Sequence, residues 1–162
     1  RVVAVYPTKG KVLSKVPDAK FKPVKDGPRE DPNIVRTEAE EIAEFLRLTN
    51  EFRQKNNLPT LKLYDELSQI AKPHNENMMK GKTGVGHEGF SERAQQIKKK
   101  KAASENCAMY VGPREHLTTL MENLINSPLH RKNLLGDFNA IGIAIGKNSE
   151  NMWYVTQLFA RF

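Results

Sequence analysis

The closing stretch of the chain places the tightest limit on its fold. Residues 141–145 and 152–159 are two β-prone runs separated by a polar turn at 147–151, which predicts an antiparallel pair. In the second run Trp153, Val155, Gln157 and Phe159 alternate with Tyr154, Thr156 and Leu158. Both sets carry large apolar side chains, so the sheet that holds this strand needs cover on both faces.

The preceding segments predict helices. Thr37 with Glu40 forms a capping box, and Glu38, Glu40 and Glu41 sit against the positive end of the helix it starts. Ile42, Phe45, Leu46, Thr49 and Phe52 recur at helical spacing, and Asn56, Asn57 and Pro59 end the run. A second helix from Asp65 carries the stripe Leu67, Ile70, Ala71 and Met78, with Pro73 inside it expected to kink or split it. Gly81, Gly84, Gly86 and Gly89 make a loop that carries His87, followed by a short helix over 91–97 and a strand or turn over 102–109. Pro113 suits the first position of a further helix that turns Leu117, Leu120, Met121, Leu124 and Ile125 inward. Pro128 is expected to end that helix and leave His130 just beyond it. Helices first and paired strands last point to an α+β fold, helices packed on a central antiparallel sheet.

At 162 residues the chain suits one hydrophobic core. Residues 1–36 hold five prolines and nine Lys/Arg against four Asp/Glu, with no helical or alternating period. They read as a basic extended arm or linker, and 37–162 as the folded domain. Residues 2–6 are the arm's one β-prone patch and predict an edge strand. The arm's charge suits an anionic surface, lipid or cell-wall polymer. Nucleic acid is not expected as a partner, because the lysine run at 98–101 has no interleaved aromatics on which bases would stack. No apolar run approaches the roughly 20 residues of a transmembrane helix. Arg1 is not an initiator, which predicts a trimmed chain. Cys107 is the one cysteine, so no intrachain disulfide is available and its thiol reads as a small buried hydrophobe.

Four short pieces carry the functional signal: Gly86-His87, Ser104-Glu105-Asn106, Ser127-Pro128-Leu129-His130-Arg131, and the aromatic strand at 153–159. In this order and spacing the chain resembles the CAP superfamily of cysteine-rich secretory, antigen 5 and pathogenesis-related proteins. The closer resemblance is to its bacterial-type, SCP-like extracellular branch. The resemblance covers roughly residues 41–162 and implies an α-β-α sandwich with a cleft lined by two His and two Glu. His87, Glu105 and His130 match three of those positions, and Ile141-Gly142 follows His130 at the family's distance. Ser127 stands in the fourth, where the family has a Glu; Glu115 and Glu122 share that helix at the wrong spacing.

Two imidazoles suit a divalent ion such as Zn²⁺, with His87 and His130 as ligands. Glu105 would then orient a ring or act as general base on a water. The same three residues also suit a purely structural hydrogen-bonded network. No nucleophile elbow, catalytic triad or His-Glu-x-x-His motif is present. His74 and Arg93 read as structural, Asn106 as a partner of backbone near Glu105, Arg131 as a helix cap or carboxylate partner, and His116 as an exposed first-turn residue. Trp153, Tyr154 and Phe159 read as core, and Tyr110 as a wall of the cleft. Met78, Met79, Phe90 and Met109 are candidates for an apolar groove.

The resemblance implies a secreted or cell-surface protein. The reading it favours is a non-enzymatic binding module for a lipid, a sterol or a protein partner. A metal-dependent hydrolase using His87, Glu105 and His130, and a structural cell-envelope role through the basic arm, are the alternatives. Oligomeric state is not encoded in any pattern here.

Overall fold

The computed structural model describes residues 4–5, 7–8, 11–12 and 34–162. Its elements run in the order β1 (Ala4–Val5), β2 (Pro7–Thr8), β3 (Lys11–Val12), α1 (Glu38–Lys55), β4 (Lys62–Leu63), α2 (Asp65–Met79), α3 (Phe90–Gln96), β5 (Ala102–Tyr110), α4 (His116–Asn126), α5 (Pro128–Leu134), β6 (Ala140–Lys147) and β7 (Trp153–Arg161). The expected edge strand is β1, which pairs with β5 through Val5 and Cys107. The reading of residues 1–36 as an extended arm otherwise falls almost wholly outside the described residues.

One sheet, in the order β1-β5-β7-β6-β4, separates two helical layers. β5, β7 and β6 are antiparallel neighbours, as expected. The sheet is mixed rather than wholly antiparallel, because β4 pairs parallel with β6. These two strands are far apart in sequence, so no hairpin fixes their direction.

Alternation along β6 assigns the layers. Ile141, Ile143 and Ile145 join Phe45 of α1, Leu117, Leu120 and Leu124 of α4, and Val155 and Phe159 of β7 in the main core. Ala140 and Ala144 face the other way and pack with Leu67 and Ala71 of α2. Gly142 lies between those alanines, and a Cβ there would fall 2.2 Å from the Leu67 carbonyl carbon. The glycine therefore lets the α2 backbone rest directly on the strand.

Several helix ends differ from expectation. The Thr37–Glu40 capping box is present in both directions. α2 runs through Pro73 without a break; Pro73 and Gln69 are solvent-exposed, so water can take up the carbonyl that proline leaves unbonded. α4 starts at His116 instead of near Pro113, because the Glu115 carboxylate accepts from the N–H groups of Leu117 and Thr118. Ser127 ends α4, and Pro128 opens α5 at its first position instead of closing the chain's helical run. His130 consequently sits in the first turn of α5, not in a loop past a helix. Arg53, 1% exposed, clasps the far end of that helix: its guanidinium donates to the carbonyls of Pro59 and Leu134 at 2.9 Å, and also to Gly136 and Phe138.

Candidate functional site

β5 brings the site together. Period-two alternation turns Glu105 and Cys107 toward α2 and α3, and Asn106 toward α4 and α5. On the first face His87, carried by the glycine loop, places Nδ1 2.9 Å from Glu105 Oε1. A carboxylate only accepts, so Nδ1 carries a proton. Arg93 of α3 grips the same carboxylate with two bonds, Nε to Oε2 at 2.7 Å and Nη2 to Oε1 at 2.8 Å. Its Nη1 donates to the Glu88 carbonyl, which holds the loop against the helix. His74 of α2 contacts the Gly86 carbonyl at 2.6 Å, and its Nε2 is 4.0 Å from Glu105 Oε1.

On the opposite face, the Asn106 amide donates to the His130 carbonyl and to Gln157 Oε1, both at 3.2 Å. Asn133 donates to Asn106 Oδ1 and to the Glu105 carbonyl. The His130 ring places Nδ1 2.9 Å from Ser127 Oγ. A hydroxyl thus takes up, without charge, a ring nitrogen beside the position where the resemblance expected a Glu. The structure joins His87 and Glu105 directly and ties His130 to the same strand through Asn106. All three are buried, with Glu105 wholly inaccessible.

The electrostatics follow from these contacts. Burial alone would raise the Glu105 carboxyl, but the His87 and Arg93 hydrogen bonds and the Arg93 charge outweigh it and hold the carboxyl below its ordinary value. Burial and the Arg93 charge lower His74, favouring its neutral form. Burial pushes the Cys107 thiol well above its ordinary value, so it stays protonated and inert. That agrees with its reading as a small buried hydrophobe.

His74, Glu105 and Cys107 offer ligand atoms within 4.8 Å of one another, a spacing that could hold a metal ion. The donor set fits such an ion poorly. Glu105 already neutralises a guanidinium, the thiol is protonated, and a dication would have to displace Arg93. His87 engages Nδ1 with Glu105, and His130 engages Nδ1 with Ser127. Carboxylate-oriented imidazoles are the usual form of a histidine ligand.

The other expected residues fall as follows. Arg131 donates to the Ile125 carbonyl and so caps α4. His116 is buried, contrary to expectation: its Nε2 is 2.7 Å from Glu41 and its ring stacks on Trp153 at 3.5 Å. The Tyr110 hydroxyl accepts from the Arg114 N–H and its ring belongs to the main core. Met78 is buried with Cys107 and Tyr154, ringed by half-buried Met79, Val85, Met109 and Met152, while Phe90 packs into the α2 cluster instead. A cavity of about 160 Å³ lies elsewhere, between α1 and α2, floored by Ile42, Leu63, Ile143 and Ala144.

Residues 46–159 match the cysteine-rich secretory protein family. This chain belongs to the CAP family. Its fold is similar to that of an outer surface protein of Borrelia burgdorferi, with a TM-score of 0.64 and 21% identity over 84% of this chain and 98% of that one. It is also similar to a cysteine-rich secretory protein of Staphylococcus aureus, with a TM-score of 0.62 and 19% identity over 80% of this chain and 41% of that one. A Bacillus anthracis extracellular protein containing an SCP domain gives 0.60 and 24% over 85% and 45%. The chain therefore spans nearly all of the Borrelia protein and under half of the other two. No curated protein matches the sequence significantly.

Proposed function

We propose that this CAP-family protein is secreted and acts as a non-enzymatic binding module. The state of Glu105 carries the reading. A general base must meet a water and hold its proton, whereas this inaccessible carboxylate meets a guanidinium through both oxygens. Secretion is supported by the outer-surface and extracellular descriptions of the similar structures, and no helix among the described residues is long and apolar enough to cross a membrane.

The half-buried Met79, Val85, Met109 and Met152 support a small apolar ligand, a lipid or sterol, as the cargo. Thioethers adapt to irregular apolar shapes, and this cluster abuts the site, with Cys107 Sγ 3.8 Å from His87 Nδ1. A second reading, Zn²⁺ held by His87 and His130, is supported by the orientation Glu105 gives His87.

The test titrates the protein with a fluorescent fatty acid and, separately, with Zn²⁺ by calorimetry near neutral pH. Saturable fatty-acid binding that falls at least about tenfold in Met109→Glu is expected, since burying a charge there is costly. Zn²⁺ binding lost in both His87→Ala and His130→Ala would establish the metal reading. Zn²⁺-dependent casein hydrolysis lost in Glu105→Gln would overturn the binding-module reading in favour of a hydrolase.

A further inference from the structure

We propose that one end of the sheet is a docking surface for an anionic phospholipid membrane. This surface is separate from the buried His–Glu site and does not depend on its cargo.

The first strand residues of β4, β6 and β5 and the last of β7 lie at this end. Lys98, Lys99, Lys100 and Lys101 form the turn between α3 and β5, and Lys99 adopts the left-handed conformation at φ 59°. The Lys101 N–H donates to the Arg161 carbonyl at 2.7 Å, which fixes the turn to the end of β7. Lys62 begins β4, three strands away, about 15 Å at the usual inter-strand spacing. Among the described residues, surface ion pairs engage Arg36, Arg47, Lys55, Lys72 and Arg161, but none engages Lys62 or the four turn lysines. Carboxylates at this end include Asp137, 4.0 Å from Arg161, and Asp65 and Glu66, which follow Tyr64.

The same end carries aromatic surface. Tyr64 is 37% exposed and its ring lies 5.6 Å from that of half-buried Phe162. Lys62 Nζ sits 5.5 Å over the Tyr64 ring. Unpaired lysines draw a protein to an anionic leaflet, and aromatic rings settle at the headgroup level. A soluble polyanion would use the lysines and leave the rings idle, so the combination selects a bilayer surface.

The test is co-sedimentation of the full chain with vesicles of phosphatidylcholine containing about one-third phosphatidylglycerol, against pure phosphatidylcholine. Binding to the anionic vesicles alone is expected, with loss as ionic strength rises from about 0.1 to about 1 M. Replacing Lys98, Lys99 and Lys101 together with Gln should lower partitioning about a hundredfold, with the thermal midpoint unchanged. The basic residues of 1–36 remain in that variant, so undiminished binding would assign attraction to the arm and overturn the proposal. Tyr64→Ser, which places a good capping residue before α2, should weaken vesicle binding several-fold and leave binding to inorganic polyphosphate unchanged. Equal loss on both probes, or polyphosphate binding without vesicle binding, would also overturn it.

Discussion

The Arg93–Glu105 pair can be weighed by a double-mutant cycle. Arg93→Met leaves a carboxylate at zero exposure with His87 as its remaining strong donor, and Glu105→Gln leaves a buried guanidinium facing a neutral amide. Each single change strands a buried charge, which costs about 3–5 kcal/mol. The double variant strands none. It loses well-aligned bonds but also removes two desolvated charges, so its cost should be about 2–4 kcal/mol, well short of the sum of the singles. At about 3 °C per kcal/mol for a domain of this size, each single variant should unfold roughly 10 °C earlier. Trp153 is the one tryptophan, and its stack on His116 makes its fluorescence report global packing during urea unfolding. Additive single effects, or a Glu105→Gln variant as stable as the parent, would defeat this account. In the second case Glu105 would not be committed to holding the fold, and its exclusion as a general base would lapse with it.

Two further outcomes follow from packing and burial. Gly142→Ala should destabilise by about 3 kcal/mol or more, because its methyl would drive into the α2 backbone at Leu67 and Ser68; a thermal midpoint within a degree or two of the parent's would contradict that close approach. Stability should be greatest between about pH 6.5 and 9, bounded by His74 and Cys107. Below 6.5 the unfolded chain protonates His74 while the fold resists, and below 4.5 the unfolded chain also protonates Glu105 while the fold keeps that carboxylate ionised, so stability falls further as pH falls. Above 9 the unfolded chain ionises Cys107 while the fold keeps the proton, so stability falls as pH rises. Scanning calorimetry across pH checks this, and Cys107→Ala should flatten the alkaline limb; coincident profiles would exclude that thiol as the cause.

The elements that the sequence revealed are those set by local periodicity. The β6–β7 pairing, the Thr37–Glu40 box and the stripe of α2 are nearest-neighbour patterns, and each appears where the spacing put it. The parallel β4 and the burial of His116 depend on residues 75 or more positions away, Ile141 for one and Glu41 for the other, and no local pattern encodes them. The start of α4 was hidden for a different reason. Proline and glutamate both suit a helix beginning, and the Glu115 side chain reaches two orphan N–H groups that Pro113 cannot satisfy. In the site, the nearness of Cys107 to Glu105 was available from strand alternation alone. The chelation of Glu105 by Arg93 was not, since it depends on how the loop at 81–89 folds back.

The Arg53 clasp has a consequence for the order of folding. Its acceptors at Leu134, Gly136 and Phe138 lie 81 to 85 positions further along the chain. During synthesis the guanidinium of α1 therefore waits, hydrated, until the segment leading into β6 has left the ribosome. An emerging chain stopped short of that segment would keep the α1–β4 junction open to proteases, and its closure would mark the moment at which the first and last parts of the domain become one cooperative unit.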